Sequence, residues 1–183
     1  MMLSKERQKT AFDALAETFG YTSRMQAPRI TKVVISTGVG KKRDPKQLEL
    51  IADRLARITG QKPAPRAAKQ SVASFKVREG DTVGLAITLR GARMFDFLDK
   101  LIHIALPRTR DFRGIPPTAI DDVGNITLGI REHTIFPETS DEDLKDVFGL
   151  AITIVTTAKT RQETEAFLRH LGLPLRVDGK SKR

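Results

Sequence analysis

The stretch VGLAITLR, residues 83–90, alternates without a break. Val83, Leu85, Ile87 and Leu89 fall on one side of it, and Gly84, Ala86, Thr88 and Arg90 on the other. A period of two commits this segment to a β-strand with one buried and one open face. The open side holds small residues with one hydroxyl and one guanidinium, so a bulky polymer backbone can approach it closely. Such a strand needs sheet neighbours and a layer that covers its apolar side.

The rest of the chain supplies both. Residues 3–19 read as a helix, with Phe12, Leu15, Ala16 and Phe19 at helical spacing and Gly20 as the stop. RITKVVIST follows as a strand, with Val33 and Ile35 on one face and Lys32, Val34 and Ser36 on the other. Asp44 is a good N-cap and Pro45 suits the first helical position. That helix buries Leu48, Ile51, Ala52, Leu55 and Ile58 and ends at Gly60. Residues 92–106 form an amphipathic helix through Met94, Leu98, Leu101 and Ala105, with Phe95 and Ile102 alongside and Pro107 as its stop. TAIDDVGNITLGI reads as a hairpin turning near Gly124 and Asn125, and GLAITIVTTA is a buried strand. Thr160 and Glu163 form a capping box for a last helix through Phe167, Leu168 and Leu171, closed by Gly172 and Pro174. There is no internal repeat and no linker. The pattern is one α+β domain over residues 1–183, a largely antiparallel sheet with helices mainly on one face. Residues 1–10 and 178–183 are expected to be frayed tails.

The stretch STGVGKKRDP, residues 36–45, raises a nucleotide-binding loop, and its chemistry fails. A Walker loop needs a glycine where Ile35 stands and a hydroxyl where Lys42 stands, and the dinucleotide fingerprint needs a glycine where Arg43 stands. The glycines turn the chain out of a strand, and Asp44-Pro45 starts the next helix.

Charge says more. The chain carries a formal net charge of +10, which points to a polyanionic partner. From Lys62 to Arg78 it places Lys62, Arg66, Lys69, Lys76 and Arg78 among 17 residues without one acid, whereas a solubilising surface mixes signs. Two prolines at the start of this segment are expected to keep it out of regular pairing, leaving residues 62–80 a basic mobile loop. Arg108, Arg110 and Arg113 form a second basic segment in PRTRDFRGIPP, where planar guanidinium forks can reach phosphates. Aromatic residues are only 5%, which disfavours a sheet that stacks bases on aromatic platforms. Residues 138–146, ETSDEDLKD, run against the overall charge and read as an acidic surface, solvated or facing a basic partner.

Catalytic and metal chemistry find little support. The absence of cysteine removes disulfides, thiolate zinc and a cysteine nucleophile, and fits a reducing compartment. Of the three histidines, His103 sits near an apolar stripe, His133 lacks a second histidine at ligand spacing, and His170 suits the end of a helix. The acidic stretch lacks the oxygen spacing of a calcium loop. No apolar run is long enough to span a bilayer and MMLSKERQKT has no signal-peptide core, so a cytoplasmic protein without membrane contact or cofactor is expected. Two readings remain from the residues alone, a structural RNA-binding protein and an RNA-processing or nucleotide-using enzyme on a basic scaffold, with an RNA chaperone as a third.

The chain also resembles a known family, bacterial-type large-subunit ribosomal protein five, which binds 5S ribosomal RNA. The resemblance rests on MQAPRITKV at 25–33, TGVG at 37–40, ITGQKP at 58–63, KQSVASFKVREG at 69–80, TLRGARM at 88–94, PRTRDFRG at 107–114, FPE at 136–138 and ITIVTTAKT at 152–160. It runs in order from about residue 12 to 176. It implies a structural protein of the central protuberance that helps attach 5S RNA to the large subunit, with 23S-type RNA and neighbouring large-subunit proteins as further partners. It also implies contact with peptidyl-site transfer RNA and, through ribosomal protein thirteen, with the small-subunit head. The family's RNA contacts fall on Ser36, Gln61, Thr88 and Arg90, and its transfer-RNA segment on Lys69, Lys76 and Arg78. Lys62, Arg66, Arg108, Arg110 and Arg113 are further basic candidates. Two positions depart: serine stands at 36 where the family has asparagine, and DDVGN lacks the arginine of the family's turn.

Overall fold

The structure, a computed structural model, describes residues 3–40, 44–139 and 147–176. Lys42, Arg43, the tail at 178–183 and the acidic stretch beyond Thr139 therefore lie outside the described residues. The elements run in the order α1 (Ser4–Phe19), β1 (Ile30–Gly38), α2 (Pro45–Thr59), β2 (Ala64–Ala67), β3 (Thr82–Leu89), α3 (Ala92–Lys100), β4 (Ile126–Ile130), β5 (Leu150–Thr156) and α4 (Arg161–Leu171). The strands form one largely antiparallel sheet in the order β2-β3-β1-β5-β4, the α+β architecture that the periodicities imply. Alternate residues are buried along β1 (Val33, Ile35, Thr37), β4 (Ile126, Leu128, Ile130) and β5 (Leu150, Ile152, Ile154, Thr156). The residues between them are half-buried or exposed, so one face is covered and the other open.

The described residues pack into two compact units, one drawn from residues 3–33, 90–128 and 153–176, the other from 34–40, 44–89, 129–139 and 147–152. In the first, α1 packs on both α3 and α4. Ala11 and Leu15 of α1, Met94, Phe97 and Leu98 of α3, and Phe167, Leu168 and Leu171 of α4 are buried. Polar contacts fix the seams. Ser4 donates its N–H and Oγ–H to Asp99 Oδ1 at 2.8 and 2.5 Å, so most of the N-terminal stretch expected to fray is helical from Ser4 onward. Thr160 Oγ1 accepts the Glu163 N–H at 3.2 Å, and Glu163 Oε2 accepts the N–H of Lys159 at 2.8 Å. The capping pair read from the sequence is present, with the return bond one residue earlier than the usual box.

The helix at 92–106 differs from its sequence reading. After Lys100 the backbone widens into a π-turn over Leu101–Ala105, where the Leu106 N–H reaches back to the Leu101 carbonyl, and one α-turn over Leu106–Arg108 follows. Pro107 is the physical reason: it has no N–H, and its ring would strike the carbonyl four residues back in a regular helix. Proline widens this helix and does not stop it. The hairpin expected at 118–130 is also reduced. Its first arm is a 3-10 turn at Pro117–Ala119 and a single bridge between Ile120 and Ile126. The turn itself is tight: the Gly124 carbonyl accepts from Thr156 Oγ1 at 2.6 Å and Thr164 Oγ1 at 3.1 Å. A Cβ on Gly124, whose φ is +91°, would sit 2.6 Å from the Ala158 carbonyl oxygen. That is why glycine stands there.

In the second unit, α2 follows its reading closely. Asp44 accepts the Lys46 N–H at 3.2 Å, Ile51, Leu55 and Ile58 are buried, and Gly60 closes the helix with φ +69°. One expectation is corrected here. Ala64–Ala67, with Pro65 inside it, pairs antiparallel with β3 in the register Ala64–Ala86, Pro65–Leu85, Arg66–Gly84, with an irregularity before Ala67. Prolines are tolerated because β2 is the edge strand, where an N–H facing solvent is not needed for pairing. Beyond β2 the chain continues as an arm with its own hydrogen bonds. Ala68 donates to Asp81 O at 2.8 Å, Glu79 N–H to Ser71 Oγ at 2.9 Å, and Val72 pairs with Val77 around a 3-10 turn at Ala73–Phe75.

Candidate nucleic-acid interface

In the second unit the open face of the sheet carries Ser36 on β1 and Thr88 on β3, both half-buried. Gly84 and Ala86 lie on the same side of β3 but are buried, a correction to their outward reading. Gly84 has no side chain and Ala86 only a methyl group, so the strands on either side cover them. Cross-strand pairing puts Arg66 and Ala64 on this side too, since residues opposite one another in a ladder share a face. Arg66 is exposed. Gln61 directly follows the Gly60 stop of α2, and its N–H donates to Thr59 Oγ1 at 3.3 Å, which fixes its backbone while the residue stays half-buried. Lys62 next to it is exposed. Ser36, Gln61, Thr88, Lys62 and Arg66 thus belong to one unit.

The arm carries the second group. Lys69, Lys76 and Arg78 are all exposed along it, and Lys76 holds a left-handed φ of +51° at its turn. In the other unit Arg90 is exposed immediately after β3, at a turn where Gly91 has φ +63°. Arg108, Arg110 and Arg113 of that unit are exposed after the π-turn helix. Among the described residues, none of Lys62, Arg66, Lys69, Arg78, Arg90, Arg108, Arg110 and Arg113 makes an ion pair. The ion pairs formed by Asp53 and Glu165 sit on helix surfaces, with Arg57 and Arg169 four residues along. Cations left unneutralised by the fold are what a phosphate backbone needs.

Two of the three histidines are structural. His133 is fully buried, stacked on Phe148 with ring centroids 4.1 Å apart, and its Nδ1 accepts the Phe148 N–H at 3.3 Å. His170 Nε2 lies 2.8 Å from the Arg7 carbonyl and 3.1 Å from Thr10 Oγ1, tying α4 to α1. No cluster of three or more histidine or acidic side chains is placed to hold a metal among the described residues, and none of their helices is long and apolar enough to cross a membrane.

Sequence reasoning missed one residue at the arm. Phe75 is 75% exposed at the tip, whereas the other eight phenylalanines are buried or half-buried. The signal was present: an aromatic residue in a basic segment with no apolar periodicity has no core to join.

Known proteins match nearly the whole chain. A family model described as ribosomal protein L5 matches residues 23–78, and a second, describing the C-terminus of that ribosomal family, matches residues 82–175. The large ribosomal subunit protein uL5 of Thermoanaerobacter sp. is 49% identical over 173 residues, covering 94% of this chain and 97% of its own. The protein of the same name from Rubrobacter xylanophilus is 51% identical over 171 residues, covering 93% and 94%. That of Mesoplasma florum is 50% identical over 161 residues, covering 87% and 89%.

Proposed function

The chain belongs to the ribosomal protein L5 family, whose members are structural proteins of the large ribosomal subunit and not enzymes, and on that premise we propose that it binds 5S ribosomal RNA and helps attach it to the subunit. The observation that carries this reading is a sheet face of small and hydroxyl residues that bears Arg66, together with further exposed cations in each unit that make no ion pair among the described residues. Ser36 and Thr88 offer hydrogen bonds at that face and Arg66 supplies charge there, while Gln61 and Lys62 of the same unit, just after α2, add an amide and a further charge. In the other unit Arg90, Arg108, Arg110 and Arg113 serve RNA in the same way. Phosphate contacts from such groups hold an RNA in register, and hydroxyl and amide contacts at close range add shape recognition.

The finer partners follow the same family reading. In the central protuberance the chain meets 23S-type RNA and neighbouring large-subunit proteins. Its arm, through Lys69, Lys76 and Arg78, reaches peptidyl-site transfer RNA, and the chain contacts the small-subunit head through ribosomal protein thirteen. Serine at 36 keeps a hydroxyl but lacks the paired donor and acceptor of an amide, so that contact is weaker than the family's.

The experiment is binding of the full chain to 5S RNA and to an unrelated structured RNA across a salt series. Specific recognition requires a preference for 5S RNA that persists at high salt, since salt removes the charge attraction common to both RNAs. Equal affinity at every salt concentration means a general RNA binder. Co-sedimentation with large subunits then separates a resident ribosomal protein from an RNA chaperone.

A further inference from the structure

The arm beyond β2 and β3 ends in a feature that charge alone does not explain. Phe75, on the 3-10 turn Ala73–Phe75, is the one exposed phenylalanine of the chain, and Val72 beside it is 40% exposed. Next to them lies an open groove of about 780 Å³, lined by Gly40, Ala68, Val72, Phe75, Lys76 and Val77 among others. Its walls are mainly apolar side chains. Lys76 lines it, Lys69 and Arg78 are chain neighbours of the lining residues Ala68 and Val77, all three are exposed, and from Lys62 to Arg78 the chain holds no acid.

Exposing a phenylalanine costs solvation, and this fold hides or half-covers its other eight. An apolar protein partner is a poor match for an arm that exposes lysines and an arginine and carries no acid from Lys62 to Arg78. A polyanion matches that charge, and the part of a polyanion that matches an aromatic ring is a nucleobase. We propose that Phe75 is a stacking platform for a nucleobase at the surface of a folded RNA, with Lys69, Lys76 and Arg78 holding the backbone that presents it. Every base has a π-face, so such a platform engages RNAs of different sequence alike. This rests on the reading that the arm meets transfer RNA, and it adds that the arm grips by stacking as well as by charge.

The test uses ribosomes carrying the full-length chain with Phe75→Ala, Phe75→Leu or Phe75→Trp, with Lys69, Lys76 and Arg78 all replaced by alanine as a separate charge variant. Equilibrium binding of transfer RNA to the peptidyl site is measured for each, and 5S RNA binding and thermal midpoint for the free chains. Phe75→Ala and Phe75→Leu should each weaken transfer-RNA binding by roughly tenfold, within the range for loss of one stacked base, and Phe75→Trp should retain it. The midpoints and 5S RNA affinity of the Phe75 variants should stay at wild type. Leucine equal to phenylalanine would mean plain apolar contact and overturn the stacking. Wild-type binding by every Phe75 variant, with a defect in the charge variant, would sink the stacking while leaving the arm's role intact. No defect in the charge variant either would remove the transfer-RNA reading and the proposal together.

Discussion

Arg66 on β2 stands opposite Gly84 on β3, and a Cβ built on Gly84 would lie 2.9 Å from the Thr37 carbonyl oxygen. The sheet is bare at this point because the backbone of β1 is already there. Gly84→Ala should therefore force the two strands apart, at a cost of about 1–3 kcal/mol by analogy with overpacked cores. Urea unfolding measures it, and an unchanged midpoint would show that the strands part freely.

How much of this was legible in the sequence depends on which residues carry the signal. α2 could be read from end to end because Asp44, Pro45 and Gly60 each have a local backbone preference and the apolar stripe agrees with them. Thr88 on the open face followed from a period of two, which no tertiary contact had to supply. β2 was not legible: Pro65 speaks against a strand, and only the position of Ala64–Ala67 at the sheet edge makes it acceptable. The π-turn was hidden for the reverse reason. Pro107 reads locally as a stop, but the buried Leu101, Ala105 and Leu106 keep the chain on course through it. The basic candidates were legible as residue types, but their division between two units needed the fold.

Arg90 is exposed and has no ion pair among the described residues. Arg90→Ala should weaken 5S RNA binding by about 1.5–3 kcal/mol, the scale of a charge-assisted hydrogen bond. Its thermal midpoint should barely move. Undiminished binding, or a variant that unfolds, would remove Arg90 from the RNA contacts.

Tyr21 donates its hydroxyl to the buried Glu163 carboxylate, which also caps α4 through the Lys159 N–H. Burial, the hydrogen bond and the negative charge of Glu163 together push the Tyr21 phenol above its ordinary value of 10.0. A pKa raised on folding gives stability that is complete below the unfolded value and lost as pH rises past it. Stability should thus decline above pH 10.0 as the unfolded chain ionises Tyr21 and the native state resists. Tyr21→Phe should lower stability at neutral pH and remove this part of the alkaline decline. Identical alkaline curves for the two proteins would show that Tyr21 does not carry it.

The arm should be separable from the sheet. Its closing hydrogen bonds run through main chain and short side chains: Ala68 N–H to Asp81 O at 2.8 Å, Gly80 N–H to Ala68 O at 3.1 Å, and Arg78 N–H to Asp81 Oδ2 at 2.9 Å. Replacing Lys69, Lys76 and Arg78 by alanine keeps all of these donors and acceptors. Even Lys76, at φ +51°, is no easier for the backbone than alanine, since both carry a Cβ. The triple variant should therefore fold with a thermal midpoint close to wild type. Its 5S RNA affinity should fall only by the non-specific attraction of three charges, a loss that fades as salt screens it. Ribosomes carrying it should hold peptidyl-site transfer RNA less firmly, and by a similar factor for every transfer RNA tried, because backbone contacts carry no base identity. A large loss of 5S RNA affinity at high salt would place these three residues at the 5S contact, and a defect confined to one transfer RNA would mean that they read bases.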